Sequence, residues 1–233
     1  MVWVLIALGA VWGALLLGSL CPGWREGQHA ALRLASSGVL VLAAWGWVAA
    51  AAGQAWTVYA LPIAVGMSFG FVGDLFMAKV LPVRDSTLAG MGAFAFNHAA
   101  YWVGFILLVA VLGIAWWPWM ALALAAWMLV GTLVWRMTAG ATAGSMRWPA
   151  LVYTLLLAGT AGLGLGLALA APRLALLAVG GALFLISDAL IALRLFRGLE
   201  HPRLSDAIWM TYGPGQMLIV YGLGAWIASA PGG

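Results

Sequence analysis

Two aspartates, Asp74 in MSFGFVGDLFMAK and Asp188 in GGALFLISDALIALRLF, each stand alone in an apolar run long enough to cross a bilayer. A carboxylate so placed costs about 2.5–3.5 kcal/mol on insertion scales and as a rule faces the protein interior for a functional reason. The chain has six acidic residues in all, and the other four, Glu26, Asp85, Glu200 and Asp206, fall in expected loops or at helix ends. Two carboxylates in unlike surroundings can divide acid and base work, one holding a proton while the other is ionised. A pair of the same kind can also relay protons.

Other polar residues lie at compatible positions. Phe94, His98, Tyr101 and Phe105 follow i, i+4, i+7 spacing and share one helix face, with Asn97 beside His98. Tyr212 and Gln216 are one turn apart. The helical rise puts Asp74 about 8 Å before Lys79 and Asp188 about 9 Å before Arg194. His98 falls roughly 15 Å into its helix, and Tyr212 and Gln216 lie about 9 and 15 Å from Asp206. Polar groups from four helices are therefore expected in one layer, where a cavity open to the cytoplasm would sit. Each also has a plain role: an Asp or His98 bonding a neighbouring helix, Tyr212 and Gln216 as interhelical glue, Ser187 bonding back to its own helix. No Ser-His-Asp pattern, nucleophile elbow, phosphate-binding loop or metal-ligand cluster is present, so no cofactor or metal is expected.

The elements that must position these residues are read from composition. The 233 residues are 66% hydrophobic and 7% charged, with a mean hydropathy of +1.08, which marks an integral membrane protein. Charges, prolines and Gly-rich breaks divide the chain into eight spans of roughly 2–20, 30–52, 55–77, 88–113, 116–136, 148–170, 173–196 and 206–229. The expected fold is all-α, a polytopic helical bundle forming a single integral membrane domain over 1–233. Eight spans put Arg25, Arg33, Lys79, Arg84, Arg136, Arg147, Arg194, Arg197 and Arg203 on one side and only Arg173 on the other. That bias places both termini outside the cytoplasm. It also accounts for the net charge of +4 and the pI near 9.7 without a nucleic-acid partner, since no basic run exists.

Residues 2–20, ending at LGSLCPG, loosely resemble a lipoprotein signal, but they lack a charged n-region and carry Leu20 before Cys21, so they are read as the first span. Cys21, the lone cysteine, is expected at a helix end. Gly66 with Gly70, and Gly162 with Gly166, make small-xxx-small pairs that allow close helix approach. Trp3, Trp24, Trp56, Trp116, Trp117, Trp119, Trp148 and Trp226 read as interfacial anchors.

GFVGDLFMA followed by GMGAFAFNHAAYWVGF, then GGALFLISDALIALRLF followed by IWMTYGPGQMLIVYG, resembles the YhhN-type family of eight-span membrane proteins, the lysoplasmalogenases. The likeness lies in two blocks, about 66–106 and 180–223; elsewhere only hydropathy matches. It implies an ether hydrolase of lipid metabolism that cleaves the vinyl ether of a lysoplasmalogen to a fatty aldehyde and a glycerophospho-base. Such a bond breaks when its double bond is protonated and water traps the oxocarbenium ion, which suits two carboxylates. Asp74, Asp188 and His98 are then the catalytic candidates, with which Asp is the acid left open. Tyr212, Gln216, Asn97, Tyr101, Lys79 and Arg194 are the substrate-binding candidates, the last two for the lysophospholipid phosphate. Pro214 is expected to distort the eighth helix locally.

Two alternatives compete. A proton-coupled transporter or lipid carrier would use the same polar layer and predicts broken helices, which Pro62 and Pro214 permit. An aspartyl intramembrane protease also uses two membrane Asp residues, but Phe71 occupies the first glycine of its Gly-x-Gly-Asp motif and no Pro-Ala-Leu motif follows. Arg outnumbering Lys nine to one, with abundant Ala and Gly, points to a GC-rich bacterial genome and so to a cytoplasmic (inner) membrane. Membrane lipids and a lysophospholipid are the expected partners; headgroup and oligomeric state are open.

Overall fold

The computed structural model describes residues 1–22, 26–113, 118–141 and 144–228. Trp24, Arg25, Trp116 and Trp117 fall outside the described residues, as do the side chains of Glu26 and Trp226. The described chain is helical, with eight α-helices: α1 Val2–Gly18, α2 Glu26–Ala51, α3 Thr57–Met77, α4 Ser86–Val111, α5 Trp119–Thr138, α6 Arg147–Ala170, α7 Ala175–Arg197 and α8 Leu204–Ala228. Each lies where an apolar run is expected. In hydrocarbon a backbone N–H or C=O has no water to bond, and a helix satisfies both within one segment.

Six of these, α2 to α7, are long and apolar enough to span a membrane. At 17 residues α1 is shorter, near the lower limit of about 17 for a span. The length of α8 suffices, but Asp206, Tyr212, Pro214, Gln216 and Tyr221 dilute its hydropathy. Prolines break neither α3 at Pro62 nor α8 at Pro214. The distortion expected of α8 does not interrupt it, although Pro214 leaves the carbonyl one turn back without its helical partner.

The chain forms two compact units, Met1–Gly104 and Phe105–Gly233. In the first, α1, α2, α3 and most of α4 pack as antiparallel neighbours: Gly46 against Leu5, Gly38 against Phe71, Gly66 against Tyr101, Gly104 against Ile63. In the second, α5 to α8 do the same: Gly162 on the backbone of Leu124, Gly181 on that of Ala161, Gly180 on that of Gly215. The small-xxx-small residues of α3 and α6 are therefore contact points, Gly70 being buried in α3 and Gly166 seated on Met120.

In the second unit the basic residues of α5, α6 and α7 lie at one end, Arg136, Arg147, Arg194 and Arg197, whereas Arg173 stands in the α6–α7 connection at the other. In the second unit the Arg197 Nε donates to the Met137 carbonyl (3.0 Å) and the Trp135 Nε1 to the Arg147 carbonyl (3.0 Å), tying the ends of α5, α6 and α7. The Trp135 and Trp148 rings stack with centroids 6.3 Å apart, and the Arg147 guanidinium lies against both, 5.7 and 5.2 Å from their centroids. Trp3, Trp119 and Trp148 are exposed at helix ends, as interfacial anchors would be, and Cys21 is exposed just past α1.

A Cβ at Gly164 would lie 2.7 Å from the Leu177 carbonyl oxygen, whereas one at Gly92 would meet nothing within 4 Å. Gly164→Ala is expected to destabilise the protein by about 1–3 kcal/mol through overpacking. Gly92→Ala is expected to be neutral or to stabilise by up to about 1 kcal/mol. Thermal unfolding in detergent measures both, and equal midpoints for the two variants would remove backbone contact as the basis of the α6–α7 pair.

Candidate functional site

Hydroxyls inside these helices mostly bond back to their own backbone. Ser36, Ser68, Thr132, Thr154 and Thr160 each donate to a carbonyl three or four residues earlier. This is the cheapest way to satisfy an O–H in an apolar helix. Ser37 and Tyr153 do otherwise, and each reaches one of the two intramembrane aspartates.

In the first unit the Ser37 Oγ on α2 donates to Asp74 Oδ2 on α3. Asp74 is 5% exposed and Ser37 3%, so this charge-capable bond is sealed from solvent. One turn before Ser37, Arg33 is also buried, and its Nε donates to the Ser19 Oγ at 3.4 Å. The His29 Nδ1 donates to the Ser19 carbonyl at 2.5 Å. Arg33, expected near the basic end of the 30–52 span, lies in α2 and is buried there.

The α4 face expected from its spacing is buried at every position, Phe94, His98, Tyr101 and Phe105 alike. It packs on α3 at the level of Asp74 because α3 offers no side chain there. A Cβ at Gly73 would fall 2.8 Å from the Phe94 ring, and one at Gly66 would fall 2.7 Å from the Tyr101 ring and 2.9 Å from the Asn97 carbonyl oxygen. Asn97 and His98 are wholly buried one turn from Phe94. The Asn97 amide makes no hydrogen bond of regular geometry among the described residues, although Tyr101 approaches it. The Tyr101 hydroxyl is directed at the Met67 sulfur (3.7 Å), and its ring stands edge-on to His98 with centroids 6.3 Å apart. Ser37, Asp74, Asn97, His98 and Tyr101 thus come from three helices packed within one unit.

Five residues beyond Asp74, Lys79 has a φ of 57°. It fills the left-handed position of a helix cap normally given to glycine, closed by the Val80 N–H on the Leu75 carbonyl (2.9 Å). A lysine there carries a backbone cost of about 1–2 kcal/mol.

In the second unit the Tyr153 hydroxyl on α6 donates to Asp188 Oδ2 on α7, and both residues are half-buried. Ser187, expected to bond back within its helix, instead donates to the Ile208 carbonyl of α8 at 3.1 Å. The close α7–α8 crossing at Gly180 and Gly215 brings that carbonyl within reach. Gln216 and Tyr212 are buried, and the Gln216 Nε2 donates to the Tyr212 hydroxyl at 3.3 Å. Phe184 and Trp209 stand edge-on to the Tyr212 ring, at 5.1 and 5.3 Å between centroids. Arg194 is exposed near the end of α7.

Among the described residues no group of three His, Cys, Asp or Glu could hold a metal ion. What the arrangement can do is acid–base work: two carboxylates, each oriented by a hydroxyl, one sealed and one partly open. Sequence reasoning missed Ser37 and Tyr153. The Ser36–Ser37 pair in an apolar helix and the only phenol in α6 were the available signals.

The Ser37–Asp74 bond is testable by a double-mutant cycle on stability with Ser37→Ala and Asp74→Ala. Hydrogen bonds to charged groups contribute about 1.5–3 kcal/mol, and a coupling of that size is expected from thermal unfolding in detergent. Additivity within about 0.5 kcal/mol would show the contact to be incidental.

The YhhN family model matches residues 28–223. No curated protein and no solved structure matches the chain. The matched stretch contains both aspartate helices and covers most of the sequence, so the chain belongs to the YhhN family.

Proposed function

We propose that this membrane protein is a lysoplasmalogenase-like hydrolase, cleaving the vinyl ether of a lysoplasmalogen to a fatty aldehyde and a glycerophospho-base. The observation that carries the reading is the pair of intramembrane carboxylates, Asp74 and Asp188, each accepting a hydrogen bond from a hydroxyl that reaches across to it. Both belong to the sequence blocks by which the chain resembles the lysoplasmalogenases, and both lie inside the family match.

The chemistry needs little else. A carboxylic acid delivers a proton to the β-carbon of the enol ether, and the α-carbon becomes an oxocarbenium ion. A carboxylate stabilises that cation and takes a proton from the attacking water, and the hemiacetal collapses to aldehyde and alcohol. One water is consumed and no redox change occurs. In this reading Asp74 and Asp188 serve the same reaction as acid and base. His98 orients the water or shares its proton, while Asn97, Tyr101, Tyr212 and Gln216 bind substrate. Lys79 and Arg194 attract the lipid phosphate. The proposal includes eight membrane spans in one integral domain, with both termini outside the cytoplasm and the basic helix ends inside. It places the protein in a bacterial inner membrane.

Transport, the alternative use of these groups, predicts broken helices, and α3 and α8 run unbroken through Pro62 and Pro214. The deciding assay is aldehyde release from lysoplasmalogen by the purified protein in detergent, where no gradient exists. Asp74→Asn and Asp188→Asn are each expected to lower kcat by about 10²–10⁴-fold. The double variant should be little worse than either single one, because residues acting as a unit are not additive. Near-wild-type turnover in both single variants would sink the reading, and activity confined to sealed vesicles under a gradient would favour transport.

A further inference from the structure

Beyond the carboxylates, the turn between α7 and α8 holds an open-mouthed cavity of about 410 Å³, within the second unit. Its volume lies in the range of roughly 300–1,000 Å³ that accommodates small ligands. Arg194, Glu200 and His201 line it, over a floor that includes Leu204. Three features set it apart from an ordinary charged loop.

First, Arg194 and Glu200 face one cavity yet do not neutralise each other: among the described residues neither makes an ion pair or a side-chain hydrogen bond. Both charges are left for a ligand carrying the opposite pair. Second, the His201 ring has a defined orientation. Its Nδ1 accepts the Arg203 backbone N–H at 3.2 Å, so in the neutral ring the proton sits on Nε2, which is then a donor. Third, the axial distance from Asp188 is within the length of one molecule. Arg194 is six residues further along α7, about 9 Å by helical rise. Three bonds of extended chain advance about 3.5 Å, so the seven bonds from a glycerol phosphorus to the β-carbon of an sn-1 enol ether reach about 8 Å.

We infer that this cavity is a subsite for a phosphodiester tethered to an ammonium group. Arg194 and the His201 Nε2–H bind the phosphate oxygens, and Glu200 accepts the ammonium. In the enzyme the ligand is the lysolipid headgroup, an assignment that rests on the hydrolase reading. The free glycerophospho-base carries the same chemistry, so the test must tell the two apart.

Binding is read on the full chain in detergent micelles by saturation-transfer NMR, with glycerophosphoethanolamine, glycerol 3-phosphate and micellar lysophosphatidylethanolamine as probes. Saturable binding of the zwitterions, tighter than that of glycerol 3-phosphate, is expected. Glu200→Gln should weaken the zwitterions by about tenfold and spare glycerol 3-phosphate, whereas Arg194→Gln should weaken all three by about tenfold, the effect of one charge-assisted hydrogen bond. Tighter binding of the lysolipid than of its soluble headgroup assigns the site to the lipid, and equal binding assigns it to the headgroup alone. Both side chains are exposed, so unfolding midpoints should not move.

The hydrolase reading and the subsite fail separately. Selective binding retained in a protein that releases no aldehyde leaves the cavity standing and removes the hydrolase. Aldehyde release with KM unchanged in both variants leaves the hydrolase and removes the cavity. Binding that ignores both substitutions, or the absence of saturable binding by any probe, also overturns the subsite.

Discussion

Close packing at glycine recurs in the antiparallel pairs of both units, against backbone between α3 and α4, α5 and α6, α6 and α7, and α7 and α8, because lipid tails are as apolar as the helices and supply no hydrophobic force to push them together. What remains is van der Waals packing, and it needs the backbones near enough for side chains to interdigitate. Gly66 admits Tyr101, Gly73 admits Phe94, and Gly180 and Gly215 meet carbonyl to α-carbon. The same contacts set which polar atoms can meet. Without the Gly180–Gly215 crossing the Ser187 hydroxyl would not reach the Ile208 carbonyl.

Polar side chains divide accordingly. Where a hydroxyl closes on its own helix, as at Ser68 or Thr154, it needs nothing from the fold and says little about function. Where it reaches a carboxylate on another helix, two costly groups have been brought together by packing. Ser37 with Asp74 and Tyr153 with Asp188 are of this second kind. Their surroundings differ, since the first pair is buried and the second is half-buried. Unlike environments for two carboxylates are what a divided acid and base role requires.

The buried residues of α4 extend the first of these groups. Asn97, His98 and Tyr101 are wholly enclosed, at positions where an apolar side chain would be cheaper by any transfer scale. The second unit also buries Tyr212 and Gln216, joined to each other, with Phe184 and Trp209 edge-on to the Tyr212 ring. Each unit thus holds one intramembrane aspartate with its hydroxyl donor, the first pair buried and the second half-buried, and a small set of further buried polar side chains.

Hydropathy alone located the helices, to within a few residues, because length and apolar content in a single window decide whether a segment is a helix in lipid. It also identified Asp74, Asp188, His98, Asn97, Tyr101, Tyr212 and Gln216, since a polar residue in such a window is conspicuous. Only the tertiary structure decided which hydroxyl meets which carboxylate, that Arg33 is buried inside α2, and that Ser187 bonds α8 rather than its own helix. Those outcomes depend on how each helix is rotated about its axis and where it crosses its neighbour. Both are set by glycine contacts between segments far apart in the chain, and no single window of sequence contains them.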